Sequence, residues 1–205
     1  MPSSWPDSAE ELERLQLRVA DEAARTPLWT PPQEPTVGAV FAATQRGIVG
    51  QGEPGDPAWV AAVAMLNRKV LGWAVVRGHF PAPYQPGLLA LREGALLERA
   101  VRALEPQPDV LIVNATGPDH PRAAGLALHL GWALDLPTFG VTDRLLAGGA
   151  GARRMGRGRG IWVHPGWRTN AAAAAMLVEP LLDKRTPAPL REARRLARTA
   201  RANDP

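Results

Sequence analysis

The 205-residue chain contains no cysteine. That excludes a disulfide framework and a thiolate zinc site. Long apolar runs are missing too: nothing approaches the ~18 residues of a membrane span. The opening MPSSWPDSAEELER is polar and acidic, unlike a secretory signal. The expectation is a cytoplasmic protein with no membrane partner. Lysine is scarce. Of 24 basic residues only Lys69 and Lys184 are lysines, in a chain of net charge +4 and pI near 10.5. Charge carried by arginine has two readings, the codon bias of a GC-rich genome and bidentate contact with phosphate. Acidic residues are absent between Pro35 and Gly52, and there is one tyrosine, Tyr84.

At 22.0 kDa the chain is long enough for one sizeable core. The expectation is a single domain over 1–205, with its core at about 36–145 and a helical, basic C-terminal extension at about 146–205. Asp7 or Ser8 caps a helix starting near Ala9, with glutamates in its first turn and Leu12, Leu15 and Val19 as an apolar stripe. Residues 1–7 are expected to fray. After a proline-rich linker, Thr26 to Pro35, three strand-like runs follow: Val37–Thr44, Trp59–Asn67 and Val70–Arg77. Their short connections imply an antiparallel meander. The rest alternates: a helix at about 92–104, a strand at 110–114, a helix at 122–134, a strand at 138–142. Trp59, Trp73, Trp132 and Trp162 are expected mostly in the core. This order predicts a mixed α/β (α+β-flavoured) fold, a sheet of five or more strands with helices on both faces.

The stretch Asp109 to Val141 organises the chain. Val110–Val113 is short enough for a buried strand. Thr116, Gly117 and Pro118 make a turn, and Leu126, Leu130 and Leu134 recur at helical spacing. Strand, loop, helix, strand is a parallel unit, and ligands in such sheets sit beyond the carboxyl ends of the strands, here Asn114 to His120.

GPDHPR, followed by GLALHLG, DLPT and GV, resembles the central motif of the endonuclease V family. So does Pro83-Tyr84-Gln85-Pro86-Gly87-Leu88-Leu89 running into Arg92-Glu93. Weaker similarity extends from about Val37 to about Arg195. The resemblance implies an RNase H-like fold and a nuclease that cuts DNA or RNA near inosine with Mg²⁺ or Mn²⁺ held by acidic residues. It also implies roles. Glu93 matches a metal-binding carboxylate and His120 the family histidine. Tyr84 and Pro86 lie in the wedge that opens the duplex. Gly87, Leu89, Gly117 and Gly140 match base-pocket positions, and Arg122 belongs to the retained binding motif.

Four positions depart from the family pattern. The first-strand aspartate is Val40, the central-strand aspartate is Asn114, a lysine is Asp143, and a later histidine is Trp167. The formal charge at the first, Glu93, Asn114 and Asp143 positions is nonetheless conserved at −2. Three functions stand at this point. One is an inosine-recognising module with lost or weak nuclease activity. Another is an active endonuclease whose metal is held by Glu93 and Asp143, with Asn114 as a neutral ligand. The last is a partner-binding protein with neither activity. Two further segments are ambiguous. Gly148 to Gly160, rich in glycine and arginine, reads as a solvated loop or a basic flap on phosphate. The last helix, 190–202, carries Arg191, Arg194, Arg195, Arg198 and Arg201 as a solvated face or a nucleic-acid contact. Whether the partner is DNA or RNA stays open, and a monomer is expected.

Overall fold

The computed structural model describes residues 5–145, 151–158, 160–183 and 185–204. Helix α1 spans Ala9–Arg25, and Ser8 accepts from the Glu11 amide as its cap. Strands β1 (Val37–Thr44), β2 (Pro57–Leu66) and β3 (Lys69–His79) form the meander. Then come α2 (Leu89–Arg102), β4 (Val110–Val113), α3 (Leu126–Leu134), β5 (Thr138–Thr142), β6 (Arg153–Met155), β7 (Ile161–Pro165), α4 (Ala171–Val178) and α5 (Ala188–Ala202). Among the described residues the main sheet has seven strands in the order β3-β2-β1-β4-β5-β7-β6. β1, β4 and β5 run parallel and the outer pairs antiparallel.

Both faces of the sheet are covered, so the central strands are apolar on both sides. Alternation along β1 sends Val40 toward α2 and α3 and Ala39 toward α4 and α5. Small side chains set the spacing on the second face. Ala197 of α5 packs on Ala43 and Ala61, and Ala193 is fully buried beside Val63 and Ile112. The helix therefore lies close against the sheet.

Several expectations need correction. α3 starts at Leu126, not near Arg122. Ala123 takes a left-handed φ of +53° and closes a turn onto the His120 carbonyl, so the helix is capped only at Gly125. α2 begins at Leu89, one turn before Arg92. Trp73 is 60% exposed, because β3 is an edge strand with one face in solvent. The N-terminus does not fray as far as residue 7. Trp5 stacks on His129 with ring centroids 4.6 Å apart and donates to Glu98. Part of the Gly148–Gly160 segment lies outside the described residues, but Arg153–Met155 within it is a strand on β7, which would otherwise be the sheet edge.

Candidate functional site

β4 ends at Val113, and the exposed Asn114 follows it at the carboxyl edge of the sheet. Beneath it is a small cavity of about 30 Å³ lined by Val40, Phe41, Glu93, Leu97, Asn114 and Leu126, among others. Three of the residues singled out in the sequence, Val40, Glu93 and Asn114, thus share one wall-to-wall space. Glu93 sits in the first turns of α2 among apolar neighbours. Burial pushes its carboxyl up to about 7, and the Arg92 charge offsets this only in part. Arg92 itself turns away, to Asp56 at 3.2 Å and the Ala82 carbonyl at 2.7 Å, with its guanidinium over the Phe80 ring.

α5 reaches the exposed Asn114 through one side chain. Arg194 Nη2 donates to Asn114 Oδ1 at 2.8 Å. The guanidinium lies over the Phe41 ring, 5.3 Å from its centroid, and Arg198 lies over the same ring at 5.9 Å. Burial lowers the Arg194 pKa from its ordinary value, the Asp143 charge opposes that, and Arg198 adds to it. Asp143 is exposed, just past the end of β5. No cluster of three or more histidine, aspartate or glutamate side chains is assembled among the described residues.

A larger cleft, about 340 Å³, opens over Asn114. Its lining includes Tyr84, Gly87, Leu89, His120, Asp143 and Arg194. Gly87 is the pivot of its upper lip. Its φ of +79° suits glycine, and its carbonyl accepts from His120 Nε2 at 3.0 Å, Arg122 Nη2 at 2.9 Å and Gln16 Nε2 at 3.3 Å. Held at Gly87, the loop presents Tyr84 with 46% of its surface exposed and Pro86 exposed beside it. The Tyr84 amide bonds the Gln51 carbonyl at 2.7 Å, so the backbone is fixed while the ring is free.

His120 is committed on both nitrogens. Its Nδ1 accepts from the Arg122 amide at 3.2 Å, which assigns the proton to Nε2 and its bond to Gly87. Burial and the Arg122 charge lower its pKa, with the Gly87 bond and Asp119 opposing them. It is a neutral clamp on the lip. Arg122 is also engaged within the fold, with Gln16 Oε1 at 2.6 Å and Glu13 at 3.2 Å. Gly117 and Gly140 lie behind the cleft wall. A Cβ on Gly117 would strike the Pro165 carbonyl, and one on Gly140 the Ala115 carbonyl. Trp167 is buried, its amide bonded to Thr138 Oγ1 at 3.0 Å.

Sequence reading missed three groups. Gln16, which belongs to none of the motifs, links α1 to Gly87 and Arg122. Asp119, beside the Thr116–Pro118 turn, is 2.6 Å from His164 Nδ1, and both side chains are fully buried. His164 Nε2 is 2.7 Å from Thr142 Oγ1 at the cleft edge. Arg194 was hidden in the arginine run. Its signal was the pair Ala193 and Ala197, small residues that mark the face of α5 nearest the sheet.

A family model described as endonuclease V matches residues 35–159, more than half of the chain. The chain belongs to the endonuclease V family. An endonuclease V of Rhodospirillum centenum is 39% identical over 119 residues, 57% of this chain and 49% of that protein. The chain thus spans about half the length of that relative. The crystal structure of an endonuclease V from Streptomyces avermitilis superposes with a TM-score of 0.84 at 28% identity, covering 98% of this chain and 96% of the other. An endonuclease V from Ciona intestinalis, solved with a 24mer DNA containing an inosine followed by a ribo-adenosine, shares the fold with a TM-score of 0.76 at 18% identity, covering 93% and 96%. The RNase H-like architecture expected from the motifs is therefore the observed one. No helix among the described residues is long and apolar enough to cross a membrane.

Proposed function

We propose that this endonuclease V family member recognises deaminated purines, inosine first, in DNA or RNA, and that it has lost the nuclease chemistry. The whole described chain acts as one domain in this reading, since α5 packs on β1 and β2 and completes the cleft. The Ciona protein's inosine-containing DNA supports the substrate class. The lip built by Tyr84, Pro86, Gly87 and Leu89 supports extrusion of a base. Flipping costs a few kcal/mol, least at a mispaired base, and an exposed ring on a fixed backbone suits the task.

The observation that carries the loss of chemistry is the bond from Arg194 to Asn114 Oδ1 at 2.8 Å. Endonuclease V enzymes are metal-dependent nucleases. The residues present here do not fit a divalent cation. Val40 offers no donor, Glu93 is only partly ionised near neutral pH, and the Asn114 oxygen already accepts from a cation. A divalent ion roughly 4 Å from the guanidinium would be repelled by about 8 kcal/mol at an effective dielectric of ~20. One exposed carboxylate, Asp143, does not offset that.

The reading is tested with single-inosine DNA and RNA strands in Mg²⁺ and in Mn²⁺, beside a Glu93→Ala control. Intact strands with an inosine-preferring gel shift are expected. Cutting that disappears in Glu93→Ala would instead support a metal site rebuilt from Glu93 and Asp143. Neither binding nor cutting would leave a partner-binding protein.

A further inference from the structure

Arg194 is the residue common to two spaces. It lines the cleft beside Tyr84, Asn114 and Asp143. It also lines a groove of about 620 Å³ along α5 together with Arg46, Arg191, Arg195 and Arg198. That groove leads away from the cleft and is walled by guanidinium groups. The position of Arg194 is built rather than incidental. Buried Ala193 and Ala197 seat the helix on the sheet, Asn114 takes one N–H, and Phe41 supports the guanidinium face. Among the described residues no carboxylate lies within ion-pair distance of it. The ion pairs of this helix are instead Arg191 with Asp183 and Arg195 with Glu192. Asp143, across the same cleft, acts on the Arg194 cation only from beyond ion-pair distance, so the half-buried guanidinium is fixed in place with room for a directly paired anion.

We propose that Arg194 stands in for the catalytic metal as a metal-independent phosphate clamp, receiving one nucleic-acid phosphate at the mouth of the cleft while the α5 groove carries the adjoining backbone. This rests on the nucleic-acid reading above. A planar guanidinium matches two phosphate oxygens at once and stays charged at any relevant pH. It supplies the attraction a metal would supply. It does not activate water, so the phosphate is held and not cut. The two arrangements differ in what they need: the clamp needs no metal, and it needs Asn114 to be neutral, because an aspartate there would pair with Arg194 and take the place of the phosphate.

The test measures affinity for single-inosine DNA and RNA strands by fluorescence anisotropy across a salt series, in EDTA and in Mg²⁺. The proteins are wild type, Arg194→Gln, Asn114→Asp, and Arg14→Gln as a distant surface control, with circular dichroism melts to verify folding. Wild type is expected to bind equally in EDTA and Mg²⁺. Arg194→Gln is expected to weaken binding and to lower the salt slope by about one phosphate contact. Asn114→Asp, which keeps Arg194 and its packing, is expected to weaken binding in EDTA, with no rescue by Mg²⁺. Binding that requires Mg²⁺, an unchanged slope in folded Arg194→Gln, or tighter Mg²⁺-dependent binding by Asn114→Asp would each overturn the clamp while leaving inosine recognition standing. Wild-type protein that binds no strand in any condition would overturn the functional reading itself.

Discussion

Arg194 and Asn114, eighty residues apart in sequence, meet at 2.8 Å where the last helix crosses the carboxyl end of the central strand. The contact ties α5 to the end of β4. A cation from α5 bonds the oxygen of Asn114, the position at which the motif resemblance implies a family carboxylate. Val40 lies in the apolar core and Glu93 lines the small cavity beneath Asn114, and in the reading proposed above this space no longer suits a metal ion.

This makes the site reversible by design. A Val40→Asp, Asn114→Asp, Arg194→Ala triple variant should gain stability from Mn²⁺. Saturation at about 100 times Kd adds about 2.7 kcal/mol, seen as a rise in Tm. The wild type should show no rise. The same two aspartates with Arg194 retained should gain much less, because the guanidinium still competes with the ion. Equal gains with and without Arg194 would refute its place at the site.

Glu93 provides a pH test. Its folded-state pKa is raised to about 7 from 4.5. Between those values the folded state holds a proton that the unfolded state has lost, so stability falls as pH rises through that window and is level above it. The order of magnitude is about 3 kcal/mol. Glu93→Gln mimics the protonated form and should flatten the slope, leaving the variant more stable than wild type at pH 8. Denaturant titrations at pH 5 and pH 8 measure it. Parallel slopes in the two proteins would contradict a desolvated Glu93.

Tyr84→Ala should leave the melting temperature unchanged, since the ring is half exposed and its loop is fixed by Gly87. Discrimination between inosine-containing and matched duplexes should fall. The loss of a base-stacking ring is worth about 1–3 kcal/mol, or roughly 5- to 150-fold in relative affinity. A variant that melts early but discriminates normally would assign Tyr84 to packing.

Asp119 and His164 form a buried contact behind the cleft. Burial raises the Asp119 pKa, but the His164 contact and the Gly117 amide outweigh it and hold the carboxyl below the usual range. Its contribution to stability is present above the ordinary aspartate pKa and is lost as pH falls below it. Removing one partner strands the other, so Asp119→Asn should cost about 3 kcal/mol or more at neutral pH. Thermal melts of Asp119→Asn and Asp119→Asn/His164→Asn check this, and the double variant should recover part of the loss.

Much of the fold was legible because its signals are local. The β1 boundaries and the α1 cap at Ser8 follow from propensity and capping. The start of α3 was misread because Leu126, Leu130 and Leu134 continue a pattern that Pro121 and Arg122 seem to extend, whereas the left-handed turn at Ala123 has no sequence mark. Which of the four tryptophans would lie outside the core was not legible, and Trp73 does, because β-strand patterning does not say which strand lies at the edge. At the site, the residues themselves, Val40, Glu93 and Asn114, were singled out from the motif resemblance, and the structure brings them to one cavity. The partners that fill the space were not. Arg194 reaches Asn114, and Asp119 reaches His164, only through tertiary packing; the small residues Ala193 and Ala197 mark the sheet-facing side of α5, but nothing in the sequence says which residue of the sheet an arginine beside them meets.

The most direct measurement puts one end-labelled inosine strand with the wild-type protein in EDTA, Mg²⁺ and Mn²⁺, reading binding and strand integrity in the same samples. The account predicts equal, inosine-preferring binding in all three and an intact strand throughout. A strand cut in Mg²⁺ or Mn²⁺, with the cut abolished by Glu93→Ala, would contradict it.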